Sequence, residues 1–364
     1  MNFIIDKKEI ISLLSDFTII LKENSVRPVL SGIYIEAKNN KLTLMGTNLE
    51  NDLIKVVDAK VMQEGTVVIK PALILEYIKQ LDVDEIEFKL KDDILYIHSA
   101  EFLVLSGENY PEVKKYNGEK IAEFTPLNLK SNIEKVKFAA SSNVDNIAIS
   151  VIRLNIKKDY IDYVATDSFR LICYKEKSDN LLEKAISLPL ESMSALQKLL
   201  GDDVEKKVSL SIYENYAVFT WDGTYFSVRL IELNYPDYES IFKNASYSKI
   251  MEFNNEQLKT SLKKVISISK TSSDVKFGAV FEFKNKKVEI KTSSGKAKLT
   301  EKLDMIKEGE DFTSSLNSKF ILDFVSMVNK NIVLKGNNSQ SMFEINEYSN
   351  ENYRYILMPL AMRG

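Results

Sequence analysis

The sequence predicts an α+β protein made of three repeated domains, each with helices and strands in the order helix, strands, helix, strands. Two observations predict this: short landmark strings recur at spacings of about 120 residues, and amphipathic helical patterns recur in register with them. The length of 364 residues also exceeds that of a usual single domain. Polar segments separate the copies, which predicts domains of residues 1–118, 119–246 and 247–364.

The clearest landmark is a turn string that follows a strand-like run. Asn-Tyr-Pro-Glu at residues 109–112 recurs as Asn-Tyr-Pro-Asp at residues 234–237. Met358 and Pro359 hold the corresponding place near the C-terminus.

A strand string that ends at a threonine is repeated as well. Residues 42–48 resemble residues 161–167, with Thr47 and Thr166 in equivalent places, and residues 288–294 form a weaker third copy. Apolar residues alternate or run together in these strings, which is typical of strands. Landmarks of both kinds in the same order argue against coincidence.

Each repeat also carries two helical patterns. The first helix is predicted where apolar residues follow the 3.6-residue period. The second is predicted after Pro71, Pro189 and Asn317, since proline suits the first helical turn and asparagine suits the N-cap. After Pro71, Leu73 and Leu75 fall outside the apolar stripe. The predicted helices cover residues 6–22, 71–81, 127–140, 189–200, 255–270 and 317–330.

Composition excludes several classes of protein. One cysteine, Cys173, allows no internal disulfide, and with one histidine, His98, it leaves too few ligands for a Cys/His zinc site. No Gly-rich phosphate loop is present, so we expect no catalytic residue, no metal and no cofactor. Apolar runs are far shorter than the ~20 residues that cross a bilayer, and we expect no signal peptide. We expect a cytoplasmic protein, with His98 on a surface strand.

Charge is distributed unevenly between the predicted helices and the rest of the chain. The net charge is −3, yet the helices of the second and third repeats hold ten lysines against four acidic residues. Lysines favour solvated helix faces in any protein, which is the simpler explanation. Combined with threefold repetition, the excess favours helices that line a concave basic surface, with sheets outside. Such a surface attracts nucleic-acid phosphates without reading base sequence.

Several of these strings resemble the bacterial β sliding clamp family, the β subunits of DNA polymerase III. Residues 164–171 resemble its Ala-Thr-Asp-x-His-Arg-Leu signature, and residues 226–238 its strand and loop before the third domain. Residues 358–360 resemble its Met-Pro-Met/Leu ending, and residues 27–32 the start of a first-domain strand. The resemblance spans the whole chain in order.

The resemblance implies a fold and a function together. In that family each domain has two helices on the inner face and antiparallel sheets outside, and a head-to-tail homodimer closes a ring around double-stranded DNA. The implied function is that of a non-catalytic processivity factor. Its expected partners are DNA, the replicative DNA polymerase, the clamp loader and other proteins with clamp-binding peptides. Dimer edges are expected near residues 102–106 and 266–271.

The resemblance also implies a groove between domains two and three that accepts a short peptide with apolar anchors. A branched aliphatic wall with a methionine floor suits leucine or phenylalanine anchors at about micromolar affinity. Without the resemblance, the simpler interpretation of these residues is ordinary interdomain core. The expected groove residues are Ile149, Thr166, Ser168, Phe169, Arg170, Leu171, Pro236, Ile241, Ile356, Met358, Pro359 and Leu360.

A further set of residues is expected to face DNA, and some positions depart from the family pattern. Phe169 replaces a frequent histidine, Ser240 stands where some members carry arginine, and Asn24 stands where an arginine is frequent. Residues 361–364 run past the usual end and are expected to cover part of the groove. The residues expected to face DNA are Arg27, Lys130, Lys135, Lys137, Asn143, Lys198, Lys259, Lys263 and Lys264.

Two other functions fit parts of the sequence. One is a repetitive β-rich scaffold that never touches DNA, and the other is a hydrolase that uses carboxylates such as Asp167. A clamp stays on closed circular DNA and slips off after linearisation, whereas a scaffold does neither. A hydrolase requires an activity sensitive to Asp167→Asn. We expect instead that Asp167 and Arg170 form an ion pair at a strand end.

Overall fold

The computed structural model describes residues 1–143, 145–202, 206–272, 274–307 and 311–361. Its elements follow one order three times: a strand, a long helix, a group of strands, a second helix and three final strands. The structure therefore confirms the α+β class and the threefold repetition.

The bounds of the elements are as follows. The first repeat contains β1 (Asn2–Asp6), α1 (Lys7–Ile20), β2 (Ile33–Lys38), β3 (Lys41–Thr47), β4 (Asn51–Asp58), β5 (Lys60–Gln63), β6 (Gly65–Ile69), α2 (Pro71–Gln80), β7 (Glu85–Lys91), β8 (Ile94–Ile97) and β9 (Ala100–Leu103). The second contains β10 (Glu119–Phe124), α3 (Pro126–Lys137), β11 (Val151–Ile156), β12 (Tyr160–Thr166), β13 (Arg170–Lys177), β14 (Lys184–Pro189), α4 (Leu190–Leu199), β15 (Val208–Tyr213), β16 (Tyr216–Trp221) and β17 (Thr224–Arg229), followed by α5 (Tyr238–Lys243). The third contains β18 (Lys249–Phe253), α6 (Asn255–Ser269), β19 (Gly278–Lys284), β20 (Lys287–Ser294), β21 (Ala297–Asp304), β22 (Phe312–Asn317), α7 (Ser318–Val325), β23 (Ile332–Gly336), β24 (Phe343–Glu347) and β25 (Tyr353–Leu357).

The chain folds into two compact units, and each contains one sheet that combines strands of successive repeats and one sheet from a single repeat. Unit 1 holds an eight-stranded sheet in the order β10-β15-β16-β17-β4-β3-β2-β6 and a five-stranded sheet in the order β5-β1-β7-β8-β9. Unit 2 holds a four-stranded sheet, β21-β20-β19-β22, and seven consecutive strands of the second eight-stranded sheet, β11-β12-β13-β25-β24-β23-β18. Unit 1 comprises Met1–Ile133, Ile156–Lys158 and Asp179–Glu232, and unit 2 comprises Glu134–Asn155, Asp159–Ser178 and Leu233–Gly364.

The long helices form where the apolar stripe and a capping residue coincide. Helix α1 buries Ile10 and Phe17, and its N-cap Asp6 accepts a hydrogen bond from the backbone N of Glu9 at 3.0 Å. Helix α6 begins in the same way at Asn254. These caps satisfy backbone donors that a helix leaves unpaired at its start.

The second helices confirm two predictions and correct two. Pro71 occupies the first turn of α2, and Asn317 caps α7. Pro189 instead lies one residue before α4, as its N-cap. Leu75 is buried although Leu73 is exposed, because α1 packs alongside α2 and widens its buried face.

One other local prediction was also wrong. His98 is exposed as expected, but it lies in the turn after β8 with φ 51 instead of on a strand. The dimer edge expected near residues 266–271 stays a prediction; residues 266–269 are the last turn of α6 and Lys270 is its C-cap, and β21 is the strand at one end of the four-stranded sheet. Helix α5 was not predicted, because six residues are too few to show a helical period.

Candidate functional site

The loop that joins β12 to β13 is a tight turn stabilised by Asp167. Its Oδ1 accepts hydrogen bonds from the backbone N of Phe169 and of Arg170, each at 3.0 Å. The Thr166 hydroxyl donates to the Arg170 carbonyl at 2.6 Å. Exposed Ser168 has φ 75, a left-handed conformation that strains a non-glycine residue. The turn leaves the Phe169 side chain 63% exposed.

Arg170 joins this loop to helix α7. Its Nε lies 2.8 Å from Asp167 Oδ2 and its Nη1 lies 2.9 Å from Asp323 Oδ2. The guanidinium carbon is 4.0 Å from the centroid of the Phe320 ring, and the side chain is only 10% exposed. The ion pair predicted between Asp167 and Arg170 is confirmed. Asp323 was missed because it lies 153 residues from Arg170.

The end of β25 lies beside the same loop. Leu171 and Ile356 are cross-strand partners and both are buried. The backbone N of Met358 donates to the Phe169 carbonyl at 2.9 Å, and the Met358 side chain is 42% exposed. The two residues that follow, Pro359 and Leu360, are half-buried. Of the predicted tail, residues 362–364 lie outside the described residues.

A buried apolar cluster forms a floor below these exposed side chains. Helix α5 contributes Tyr238 and Phe242 to it and leaves Ile241 37% exposed. Burial raises the pKa of the Cys173 thiol strongly, so this side chain is neutral and acts as a small apolar group. An apolar floor with exposed apolar side chains around it suits apolar ligand groups. The cluster consists of Val164, Leu171, Cys173, Tyr238, Phe242 and Ile356, with Tyr235 and Met342 packed against it.

Two further predicted groove residues, Pro236 and Ile149, lie outside the apolar cluster. Pro236 is exposed in the turn before α5, and its carbonyl accepts a hydrogen bond from the backbone N of Tyr238 at 2.8 Å. Ile149 is buried after α3, and its carbonyl accepts from the backbone N of Ser141 at 3.1 Å.

Most of the lysines expected to face DNA contact acidic or aromatic side chains on the protein. Lys135 places its amine 3.7 Å from the centroid of the Tyr174 ring, whereas Lys198 and Lys263 are exposed. Ion pairs between exposed groups are worth about 0–1 kcal/mol each, so phosphates can compete with them. The ion pairs are Lys130–Asp202 at 2.6 Å, Lys137–Glu134 at 2.6 Å, Lys259–Glu256 at 3.8 Å and Lys264–Glu301 at 3.1 Å.

Arg27 and Asn143, the other residues expected to face DNA, lie in exposed loops. Asn24 Oδ1 accepts from the backbone N of Val26 at 3.1 Å and of Arg27 at 2.8 Å. This turn leaves Val26 87% exposed. Asn143 Oδ1 accepts from the backbone N of Asp145 at 3.0 Å.

Two other features, metal sites and membrane-spanning helices, were sought in the described ranges. Within them, no group of three His, Cys, Asp or Glu side chains is placed to hold a metal ion. No helix in the same ranges has the length and apolar character to cross a membrane.

Comparison with known proteins gives matches along the whole chain. Family models for the DNA polymerase III beta subunit match in sequence order: the N-terminal domain over residues 1–114, the central domain over 123–237 and the C-terminal domain over 244–361. The chain is 26% identical to the beta sliding clamp of Mycoplasma capricolum, over 99% of each protein. It is also 26% identical to the beta sliding clamp of Buchnera aphidicola subsp. Rhopalosiphum padi, over 99% of this chain and 100% of the relative.

Solved structures give the same result for the fold. The DNA polymerase III beta subunit from Thermotoga maritima superposes with a TM-score of 0.92 at 24% identity, covering 100% of both chains. The DNA polymerase sliding clamp from Bacillus subtilis also has a TM-score of 0.92, at 21% identity over 100% of both chains.

Proposed function

The chain belongs to the DNA polymerase III β subunit family, the non-catalytic sliding clamps of DNA replication, and from this premise we propose that two copies close head to tail into a ring around double-stranded DNA. In this role it is a cytoplasmic processivity factor that a clamp loader places on DNA and that tethers the replicative polymerase. We also propose domains of residues 1–118, 119–246 and 247–364, close to the ranges that the family models match.

The observation that carries the proposal is a rule of strand pairing between successive repeats. Strand β4 of the first repeat pairs antiparallel with β17, the last strand of the second. Strand β13 of the second repeat pairs antiparallel with β25, the last strand of the third. By the same rule, β21 of the third repeat requires the last strand of a following repeat. Strand β9, the last strand of the first repeat, in turn requires a strand of a preceding repeat. A second copy of the chain supplies this partner.

The two strands in question have the properties that edge-to-edge pairing requires. Each stands at the end of its sheet. Leu103 in β9 is 88% exposed, and Leu299 in β21 is half-buried. Apolar side chains on a strand at a sheet edge favour pairing with another chain. Two β9–β21 pairs per dimer close the ring.

We propose that the lysine-bearing helices and the loops of Arg27 and Asn143 face the DNA. Contacts to phosphates give sequence-independent attraction, with a salt dependence of roughly −0.9 in log–log slope per phosphate neutralised. Weak contacts suit a ring, because closure retains the DNA while the contacts exchange. The DNA-facing residues proposed are Arg27, Lys130, Lys135, Lys137, Asn143, Lys198, Lys259, Lys263 and Lys264.

We propose that partner peptides bind around the β12–β13 loop, the end of β25 and α5. The support is the buried apolar cluster together with exposed Phe169, Ile241 and Met358. Each apolar anchor contributes roughly 1.5–3 kcal/mol on full burial, and ordering costs reduce the sum, so binding is weak and exchangeable. Weak binding allows several partners to share one groove, while the tether keeps their local concentration high.

Closure of the ring is tested by sedimentation and by retention on DNA. We expect the wild-type chain to dimerise at micromolar concentration and, after loading by a bacterial clamp loader, to remain on nicked circular plasmid and leave it after linearisation. Leu103→Asp places a charge on β9 and is expected to give monomers that are not retained. Leu181→Asp, at another exposed leucine, is the matched control and is expected to behave as wild type. A wild-type monomer, or retention that survives linearisation, contradicts the proposal.

A further inference from the structure

Helix α5 presents part of the proposed peptide groove but is too short to hold its own conformation. It has six residues, and isolated helices of fewer than about 12 residues are marginal in water. Its exposed face carries Ile241, and its buried face carries Tyr238 and Phe242. Contacts from the neighbouring sheet must therefore fix its position.

The N-terminal end of α5 is held through the hydroxyl of Tyr238. This hydroxyl donates to Asp162 Oδ2 at 3.0 Å and accepts from Asn155 Nδ2 at 2.7 Å. Asp162 is 4% exposed and Asn155 is 6% exposed, so both bonds are shielded from water. The Lys175 amine lies 2.8 Å from Asp162 Oδ1 and balances its charge. Asn155 Nδ2 also donates to Glu239 Oε1 at 2.8 Å, which adds a second bond to the same turn.

The C-terminal end of α5 is held by Arg354. Its Nη2 donates to the Phe242 carbonyl at 3.3 Å, and its guanidinium carbon lies 4.4 Å from the centroid of the Phe242 ring. The same Nη2 is 2.6 Å from Glu344 Oε2, and Glu344 is 1% exposed. A planar guanidinium can stack on the ring and bond both oxygens at once, which an ammonium cannot do.

We propose that Tyr238 and Arg354 are positioning residues for the partner groove, which hold α5 at both ends so that Ile241 is in place before a peptide arrives. The inference rests on the groove proposed above and assigns the Tyr238 hydroxyl and Arg354 to holding α5 and not to contact with the peptide. If α5 must be docked for binding, the apparent affinity falls in proportion to the docked fraction of the free protein.

The test separates docking of α5 from contact with the peptide by measuring both rate constants. The probe is a fluorescein-labelled synthetic peptide with leucine and phenylalanine anchors, followed by stopped-flow anisotropy. Tyr238→Phe keeps the ring in the cluster and removes the hydroxyl, and we expect association to slow about 3- to 10-fold with dissociation unchanged. Ile241→Ala removes a direct contact and is expected to speed dissociation instead.

A matched control and a second variant keep the test decisive. Tyr225→Phe removes a hydroxyl that accepts from the backbone N of Tyr116 at 2.6 Å in unit 1, and we expect both rate constants to stay as in wild type. Arg354→Lys keeps a cation beside Glu344 but loses the stacking, and is expected to slow association as Tyr238→Phe does. Without peptide, hydrogen exchange of the backbone amides of residues 238–243 should be faster in Tyr238→Phe and in Arg354→Lys than in wild type.

The outcomes distinguish the inference from the function on which it rests. Wild-type association in Tyr238→Phe and Arg354→Lys, or a loss of affinity confined to faster dissociation, overturns the positioning role while the groove stands. Failure of the wild-type chain to bind the probe overturns the groove itself.

Discussion

The β3–β4 loop in unit 1 and the β12–β13 loop in unit 2 share a backbone design. Asn48 Oδ1 accepts from the backbone N two and three residues later, at 3.1 and 2.7 Å. Asp167 Oδ1 does the same at 3.0 and 3.0 Å. The next residue is left-handed in both loops, with φ 74 at Leu49 and φ 75 at Ser168.

Each loop also receives a hydrogen bond from the end of a later strand. The backbone N of Arg229 donates to the Glu50 carbonyl at 3.0 Å, and that of Met358 donates to the Phe169 carbonyl at 2.9 Å. The exposed side chains at this contact are those of Glu50 and Arg229 in unit 1 and of Phe169 and Met358 in unit 2.

The strands below the two loops differ in the same sense. Leu171 faces Ile356 across the strands of unit 2, whereas Asp52 faces Ser227 at the equivalent register of unit 1. The Ser227 hydroxyl donates to Asp52 Oδ2 at 3.0 Å, and burial raises the pKa of Asp52 above its usual range. An apolar ligand over this carboxylate would remove its remaining water at a large cost. The β3–β4 and β12–β13 loops thus share a backbone conformation but differ in ligand preference through a few side chains. We therefore expect one peptide groove per chain, in unit 2.

Moving the unit 1 pair into unit 2 is the strongest test of this comparison. Leu171→Asp with Ile356→Ser puts a carboxylate into the apolar cluster, and we expect peptide binding to be abolished. The free energy of unfolding should fall by about 3–5 kcal/mol. Fluorescence anisotropy and denaturant unfolding measure the two effects. The reciprocal change, Asp52→Leu with Ser227→Ile, should leave the affinity of the unit 2 groove unaltered. If Leu171→Asp with Ile356→Ser still binds peptide, the apolar cluster is not the floor of the groove.

Removing the arginine that ties down the unit 2 loop comes next in size. Arg170→Ala leaves the partly buried Asp167 carboxylate without its cation and leaves Asp323 with Lys319 alone, and we expect the free energy of unfolding to fall by about 3 kcal/mol. Asn51→Ala, at the equivalent position of unit 1, should cost only about 1 kcal/mol. Denaturant midpoints measure both, and equal losses would mean that the ion pairs add nothing.

Truncating the exposed residue at the end of each strand separates binding from stability. We expect Met358→Ala to weaken peptide binding about tenfold, because an exposed apolar contact is lost, with little change in unfolding. Arg229→Ala is the matched control in unit 1 and should leave peptide affinity unaltered. The same peptide titration applied to both variants decides the point.

Replacing the left-handed residue by glycine should have the smallest effect on the free energy of unfolding, and the effect should have the same sign in both loops. Ser168→Gly and Leu49→Gly each remove a side chain that disfavours positive φ, and we expect a gain of about 0.5–1 kcal/mol in unfolding free energy. Thermal unfolding of both variants gives the comparison. A loss of stability in either variant would show that its side chain contributes more than the strain it causes.

The sequence alone determined the features that depend on neighbours along the chain. The 3.6-residue period located α1, α3 and α6, and Asn317 was recognised as an N-cap because capping acts within three residues. The pairing of Asp167 with Arg170 also spans three residues and was predicted. The repeated strings revealed three copies because each copy folds by the same local rules.

Only the tertiary structure decided which distant segments meet. Three kinds of contact join residues that no local pattern relates: Arg170 with Asp323, the long-range lysine pairs Lys130–Asp202 and Lys264–Glu301, and the docking of α5 through Tyr238. The pairing of β4 with β17 and of β13 with β25 likewise depends on the packing of whole repeats. Such contacts form because buried polar groups need partners and apolar faces need cover, and the folded chain sets which ones are within reach.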